Sequence, residues 1–179
     1  GGQTTSSVSG LCVGNFVGTV TDLNGCTSTK SVTITQPSAI SPTVTSTNAS
    51  CFGGCNGTSS VSVSGGTAGY TYLWSPGGQT TTSVTGLCTG SYTLDITDAN
   101  GCGNTQLISI TSPAVLQANI TNISPSCTSS CDGTATSSPV GGTGAYTYSW
   151  STVPIQTTAT ATGLCAGTYT LTLSDGSGC

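Results

Sequence analysis

Apolar and polar residues alternate with a period of two along most of the chain. In Ser60-Val61-Ser62-Val63-Ser64 every second residue is apolar, and Tyr70-Thr71-Tyr72-Leu73-Trp74 places three aromatic rings on one face. Tyr92, Leu94 and Ile96 share a face in the same way. This alternation is typical of half-buried strands, and no segment has helical periodicity. The pattern therefore predicts an all-β chain of short antiparallel strands packed as sandwiches.

The pattern also repeats with a period of about 76 residues, which indicates a tandem array of one small module. The motif Gly-Leu-Cys ends at Cys12, Cys88 and Cys165. Pro37 and Pro113 occupy equivalent places after alternating stretches, so we place the repeat boundaries just after them. The predicted units are the C-terminal part of a first repeat (1–37), a complete second repeat (38–113) and a third repeat that lacks its final strand (114–179).

Ten cysteines fall in this repeat, and they favour disulfides over metal sites. The chain has no histidine, and no pair of cysteines has the C-x2-C spacing of zinc sites. A module of this size buries a modest core and commonly needs covalent staples. We expect disulfides and an oxidising compartment, meaning a secreted, periplasmic or cell-surface location.

The four cysteines of a complete repeat allow three pairings. The preferred arrangement pairs them within repeats, as Cys51–Cys102, Cys55–Cys88, Cys127–Cys179 and Cys131–Cys165. Partners for Cys12 and Cys26 would then lie upstream of the first residue. The alternative pairs across repeats, as Cys26–Cys51 and Cys102–Cys127, and keeps Cys55–Cys88.

The aromatic residues are predicted to form the core of each module, because they lie in register with the apolar face of their strands. They are Tyr70, Tyr72, Trp74, Tyr92, Tyr146, Tyr148, Trp150 and Tyr169. A platform that stacks against sugar rings is the alternative interpretation. The stretch from Gly86 to Tyr92 also suits a tyrosine corner, in which the hydroxyl bonds to nearby backbone.

Charge and composition exclude several classes of function. Lys30 is the single basic residue and the net charge is −4. Binding to nucleic acid or to anionic lipid is therefore not expected, because it requires several lysine or arginine side chains. No apolar run is long enough to span a membrane. Catalysis is not expected either, because histidine and glutamate are absent and Asp95 and Asp98 are the only close carboxylates. We expect neither an enzyme nor a cofactor.

Calcium is the one metal for which the sequence offers candidate ligands. Asp22 with Asn24, and Asp98 with Asn100, place oxygen ligands on short loops. Two side chains fall short of the six to eight ligands that calcium takes. The favoured interpretation is a plain turn that begins at the aspartate, with no metal site.

Several motifs together resemble the SprB-type repeat of large Bacteroidota cell-surface proteins, a family that includes the gliding-motility adhesin. The motifs are Cys51-Phe52-Gly53-Gly54, Gly65-Gly66-Thr67, Tyr70-Thr71-Tyr72-Leu73-Trp74-Ser75, Gly86-Leu87-Cys88 and Asp98-Ala99-Asn100-Gly101-Cys102. The third repeat departs from the pattern at Cys127-Thr128-Ser129-Ser130, where Phe-Gly-Gly is lost. The resemblance implies Ig-like or PKD-like sandwiches, export through the outer membrane, and display in adhesins or surface filaments.

The expected function is a structural or adhesive extracellular fibre without catalysis, displayed on the outer membrane or released as a filament. A carbohydrate-binding or other ligand-binding module of a larger surface protein is the alternative. Expected partners are neighbouring repeats or identical subunits, with surface polysaccharide as a further candidate. Because both ends fall inside a repeat, we expect more of the same chain, or strands of neighbouring subunits, to complete the terminal modules.

Overall fold

The structure, a computed structural model, describes residues 4–179 and contains strands but no helix within that range. The predicted all-β class is confirmed. The first three residues of the predicted unit 1–37 lie outside the described residues. The rest of that unit contains one antiparallel hairpin, made of β1 (Gly14–Thr21) and β2 (Thr27–Ile34).

The second predicted unit folds as a six-stranded antiparallel sandwich, here called the first sandwich. Its strands are β3 (Ser41–Thr47), β4 (Gly57–Ser64), β5 (Thr71–Ser75), β6 (Ser83–Leu87), β7 (Gly90–Thr97) and β8 (Gly103–Ile110). One sheet has the order β3-β4-β6 and the other has the order β5-β7-β8. Every pairing in both sheets is antiparallel, as the alternating pattern predicts.

The core of the first sandwich lies between these two sheets and is built from the residues that alternate inward. Leu94 and Ile96 on β7 are completely buried, and Trp74 on β5 is 1% exposed. Leu73, the neighbour of Trp74, points outward and is 46% exposed. Burying one apolar face of each sheet is the main term that stabilises such a module.

A second sandwich follows with a smaller core. Its strands are β9 (Ile120–Ile123), β10 (Gly133–Ser137), β11 (Thr147–Trp150), β12 (Thr160–Leu164) and β13 (Leu171–Ser174). The sheets have the orders β12-β10-β9 and β11-β13. A counterpart of β8 is not among the strands described up to Cys179. The buried apolar residues are Ala135, Trp150, Ala161 and Leu164.

Equivalent hydrogen bonds mark the start of each sandwich. The Gly66 N–H donates to the Ser38 carbonyl at 2.7 Å, and the Gly142 N–H donates to the Ala114 carbonyl at 2.9 Å. The two acceptors are 76 residues apart in the sequence, as are the two donors. These bonds agree with repeat boundaries just after Pro37 and Pro113, which stay a prediction.

Each sandwich has two distinct ends, because its antiparallel strands share one axis and the loops between them lie at either end of that axis. Thr47 pairs with Thr58, and Gly57 pairs with Leu87, so the β3–β4 loop and Cys88 lie at one end, here called the loop end. The opposite end, here called the hairpin end, carries the β7–β8 turn (98–102) and the β4–β5 loop (65–70). In the second sandwich the β9–β10 loop forms the loop end, and 175–179 belongs to the hairpin end.

The predicted tyrosine corner is confirmed. The Tyr92 hydroxyl donates to the Cys88 carbonyl at 3.0 Å, and the equivalent Tyr169 hydroxyl donates to the Cys165 carbonyl at 3.3 Å. The first bond ties the start of the central strand β7 to the preceding turn, and the second does the same for the residues just before β13. That turn carries a disulfide cysteine, so the corner holds the cysteine in place.

Candidate functional site

Two disulfides close the loop ends of the two sandwiches. Cys55 bonds to Cys88 and Cys131 bonds to Cys165, with sequence separations of 33 and 34. Both bonds are the ones that the preferred pairing predicts. Each joins the loop before β4 or β10 to the turn after β6 or β12, the strand that pairs with it in the same sheet.

A third disulfide joins the two sandwiches to each other. Cys51, in the loop end of the first sandwich, bonds to Cys179, in the hairpin end of the second. Their Cα atoms are 5.7 Å apart and their sequence separation is 128. The Cys179 sulfur also lies 3.4 Å from the Ser50 carbonyl oxygen. The two modules are therefore stapled end to end, loop end against hairpin end.

The predicted bonds Cys51–Cys102 and Cys127–Cys179 are wrong in this structure. Cys51 and Cys102 lie at opposite ends of the first sandwich, separated by the length of β7, which is about 26 Å for eight residues at about 3.3 Å each. No local rearrangement of the loop spans that distance.

The alternative across repeats, Cys26–Cys51 and Cys102–Cys127, is not found either. Like the observed bond, each of these would join a cysteine at a hairpin turn (Cys26 or Cys102) to the first cysteine of a loop end (Cys51 or Cys127). In the alternative the hairpin-turn cysteine comes first along the chain, whereas in the observed bond it comes second. Four cysteines that were predicted to be oxidised are exposed free thiols here: Cys12, Cys26, Cys102 and Cys127.

Polar side chains fix the loop that carries Cys51. The Asn56 amide oxygen accepts from the Ser50 N–H at 2.9 Å, and its nitrogen donates to the Ser50 hydroxyl at 2.7 Å. The Gly54 N–H closes the turn by donating to the Cys51 carbonyl at 2.9 Å. The cysteine is thus held on a defined turn.

The loop that carries Cys127 has the same construction with different residues. Asp132 stands where the first sandwich has Asn56, and its carboxylate accepts from the Ser126 N–H at 2.9 Å and from the Ser126 hydroxyl at 2.7 Å. The Ser126 hydroxyl is the largest cause that lowers the pKa of Asp132 to about 2. The Ser130 N–H closes the turn onto the Cys127 carbonyl at 3.1 Å. Sequence reasoning treated this segment as a departure and missed the retained turn.

Each hairpin cysteine is positioned by an aspartate. Asp98 is 5% exposed, and its carboxylate accepts from the N–H groups of Thr67, Asn100 and Cys102 at 2.8–2.9 Å. The Thr67 N–H is the largest of the causes that hold the pKa of Asp98 below its usual value. These bonds use the carboxylate oxygens within the protein, as the turn interpretation expects.

Asp175 makes the equivalent bonds around Cys179. Its carboxylate accepts from the Thr143, Ser177 and Cys179 N–H groups at 2.8–3.0 Å. The Cys179 N–H is the largest cause of the lowered pKa of Asp175. Within residues 4–179, no group of three or more acidic, histidine or cysteine side chains is arranged to hold a metal ion.

These carboxylates predict that acid loosens the hairpin ends. A lowered folded-state pKa means that the charged carboxylate stabilises the fold above the ordinary aspartate pKa, and that this stability is lost as pH falls through the folded-state value. We expect Asp98→Asn to lower the midpoint of thermal unfolding at pH 7, because an amide nitrogen would face a backbone N–H. The same variant should show a weaker dependence of that midpoint on pH between about 5 and 2.

The matched control is Asp95→Asn on the outward face of β7, where the carboxylate accepts from the Thr105 hydroxyl. Thermal unfolding followed by circular dichroism from pH 7 to pH 2 makes the comparison. Equal shifts in the midpoint for Asp98→Asn and Asp95→Asn would contradict the assigned role of the Asp98 turn.

The predicted core aromatics divide into two groups. Trp74 and Trp150 are 1% and 2% exposed, and their indole N–H groups donate to the Thr81 and Thr158 carbonyls at 2.9 and 3.0 Å. The six tyrosines are half-buried. Those packed against a core cluster are Tyr70, Tyr72, Tyr92 and Tyr169. The structure therefore places the tryptophans fully inside and the tyrosines at the margins of the two cores.

A groove of about 750 Å³ lies in the second sandwich, with Ile123, Trp150 and Tyr169 among its lining residues. In the first sandwich the last residue of β8, Ile110, approaches within 2.8 Å of the Cβ position at Gly57, the equivalent of Gly133. The groove is thus the space that β8 occupies in the first sandwich. We assign no ligand to it.

Comparisons with known proteins bear on the first sandwich. A family model described as SprB repeat matches residues 43–79, from β3 to the turn after β5. That segment includes Cys51, Cys55 and Trp74. A search of curated proteins finds no match. Among the described residues, no helix has the length and apolar character needed to cross a membrane. Residues 43–79 of the first sandwich are therefore similar to a SprB repeat, and this match with the three disulfides indicates a repeat region of the surface-adhesin type in an extracellular or cell-surface protein.

Proposed function

We propose that this chain is a segment of an extracellular structural or adhesive fibre, built from sandwich modules stapled end to end and without catalytic activity. The observation that carries the proposal is the Cys51–Cys179 disulfide, which joins the loop end of one module to the hairpin end of the next. A covalent bond across the contact turns two small domains into one mechanical unit.

The separate cores support a mechanical rather than a chemical role. Each module closes its own loop end with one disulfide, so each resists unfolding on its own. The short linker after Ile110 keeps the second module close to the loop end of the first, where the Ala49 N–H donates to the Thr111 carbonyl at 2.9 Å. The fibre is thus assembled from stable units with little free chain between them.

The surface chemistry suits a filament that stays hydrated with almost no charge. The outward positions of the strands are mostly serine and threonine, which pair across strands through hydroxyl bonds such as Thr45 to Ser60 at 2.8 Å and Thr47 to Thr58 at 2.7 Å. Lys30 is the single basic residue of the chain. Such a surface favours neutral, hydroxyl-rich surroundings, and surface polysaccharide is the partner that we propose beyond the fibre itself.

The alternative of a carbohydrate-binding module on a larger protein requires an open aromatic row. In the first sandwich the row Tyr70, Tyr72 and Trp74 instead packs against the core, with Trp74 fully buried. The hydroxyl of Tyr70 bonds to the Gly65 carbonyl. The fibre is therefore the function that this arrangement supports better.

Immunogold electron microscopy of the source cells tests the proposal. Antibodies raised against the oxidised chain should label intact cells along filaments or a surface layer, and filaments sheared from the cells should keep the label. Permeabilised cells serve as the control for internal protein. Label that needs permeabilisation, or that stays in the cell body after shearing, would contradict the proposal.

A further inference from the structure

The cysteines outside the loop-end staples form two complementary classes. Cys51 and Cys127 are loop cysteines, each the first cysteine of the loop at a loop end. Cys26, Cys102 and Cys179 are hairpin cysteines, each at the end of a turn that begins with an aspartate. The one disulfide between modules joins a loop cysteine to a hairpin cysteine. Of the other members, Cys102 and Cys127 are exposed thiols on the two sandwiches.

Each free thiol is held in the geometry of its bonded equivalent. Around Cys102 the Asp98 carboxylate accepts from the cysteine N–H at 2.8 Å, and around Cys179 the Asp175 carboxylate does so at 3.0 Å. A cysteine is thus fixed at the same place on the hairpin end of both sandwiches, whether or not it is bonded.

The loop cysteines match in the same way. The N–H of Ser50, the residue before Cys51, donates to the Asn56 amide oxygen, and the N–H of Ser126, the residue before Cys127, donates to the Asp132 carboxylate, each at 2.9 Å. Retention of this turn although Phe-Gly-Gly is lost suggests that it is kept for the position of the cysteine. The second sandwich therefore presents at its loop end what the first sandwich presents to Cys179.

We propose that Cys102 and Cys127 are the two open halves of the same end-to-end disulfide, and that between copies of this chain Cys127 of one copy bonds to Cys102 of the next. The inference deepens the proposed fibre and takes its biological setting from it. It makes the fibre a covalent, polar array in which every loop end meets a hairpin end.

The polarity follows from the shape of the pair of sandwiches. Because Cys51 and Cys179 occupy the contact between the two sandwiches, Cys102 and Cys127 lie at the two far ends of this pair. β7, with eight residues, spans about 26 Å of the first module, and the five-residue strand β10 spans about 16 Å of the second, so these two thiols are roughly 40 Å apart. A bond between Cys102 and Cys127 therefore joins different copies.

Bond formation is a thiol–disulfide exchange with a small-molecule disulfide such as oxidised glutathione. The Cys127 thiolate attacks one glutathione sulfur and releases glutathione thiolate. The Cys102 thiolate of the next copy then attacks the Cys127 sulfur of the mixed disulfide and releases the second glutathione. The two protein thiols lose two electrons and two protons in total, and one oxidised glutathione becomes two reduced molecules.

The test uses the full chain with Cys12→Ser and Cys26→Ser, which leaves Cys102 and Cys127 as the free thiols. Concentrated protein is equilibrated in a buffer of oxidised and reduced glutathione, resolved on a non-reducing gel and mapped by mass spectrometry of linked peptides. We expect a ladder of oligomers in which Cys102–Cys127 is the linkage between copies. Linkages of Cys102 to Cys102 or of Cys127 to Cys127, a Cys102–Cys127 bond closed within one monomer, or the absence of oligomers would overturn the proposal.

A matched variant that also carries Cys102→Ser isolates the complementarity. It should stay monomeric under the same conditions, because Cys127 has lost its complementary class, and a dimer through Cys127 would count against the proposal. The proposed function is tested by a separate experiment, the immunogold labelling of intact cells. Surface filaments without these linkages would leave a non-covalent fibre and reject only this inference.

Discussion

Reduction of the Cys51–Cys179 disulfide should lengthen the fully stretched chain by about 450 Å. When the chain is pulled from its two ends, force reaches Cys51, crosses the disulfide to Cys179 and bypasses everything between them. The bypassed segment has a sequence separation of 128, and an extended chain spans about 3.5 Å per residue. Single-molecule force spectroscopy with and without a thiol reductant measures the difference.

Two variants separate this bond from the staples within each sandwich. The double variant Cys51→Ser with Cys179→Ser should extend without reductant, but by about 230 Å less than the reduced chain, because the retained bonds close separations of 33 and 34. The double variant Cys55→Ser with Cys88→Ser should keep the short extension of the oxidised chain. If the oxidised chain already reaches the reduced length, Cys51 and Cys179 are not joined.

Trp74→Ala should lower the free energy of unfolding of the first sandwich by about 3–5 kcal/mol, the usual cost of removing a large buried aromatic ring. Trp74 is 1% exposed and lies in the core between the two sheets. Its loss also leaves the Thr81 carbonyl without the indole N–H at 2.9 Å. The total free energy of unfolding of a folded protein is about 5–15 kcal/mol, so the variant should unfold at a low denaturant concentration.

Leu73→Ala is the matched control for Trp74→Ala, because Leu73 is the next residue on the same strand and is 46% exposed on the opposite face. Urea unfolding of the two variants under oxidising conditions compares them with the parent chain. Leu73→Ala should change the midpoint little. A cost for Trp74→Ala no larger than that for Leu73→Ala would show that β5 does not pack as described.

The strands and the core of the first sandwich could be predicted from the sequence because alternation is a local property. Val61, Trp74 and Leu94 each lie on the apolar side of their strands, and each is buried. The disulfide between Cys55 and Cys88 was also part of the preferred pairing, and the two cysteines recur at equivalent positions in the next repeat, as Cys131 and Cys165. Local pattern and repetition suffice for contacts inside one module.

The bond between modules could not be predicted in the same way. Its partners depend on which ends of two sandwiches meet, and no periodicity in the sequence encodes that. Pairing within a repeat assigned Cys51 to Cys102, although strand lengths already separated Cys88 from Cys102 by more than the loop between Cys51 and Cys55 can span. The conflict is resolved once Cys51 turns to the neighbouring module instead.

The central claim, that sandwich modules are stapled loop end to hairpin end, is tested most directly by a non-reducing peptide map of the native protein. Trypsin cleaves after Lys30, which separates Cys26 from Cys51, and chymotrypsin cleaves after Phe52, which is 63% exposed and separates Cys51 from Cys55. A digest with both enzymes therefore releases Cys51 on a peptide without a second cysteine. The account predicts one linked fragment that joins the Cys51 and Cys179 peptides and another that joins the Cys55 and Cys88 peptides. A fragment that joins Cys51 to Cys102, or a Cys51 peptide with a free thiol, would contradict it.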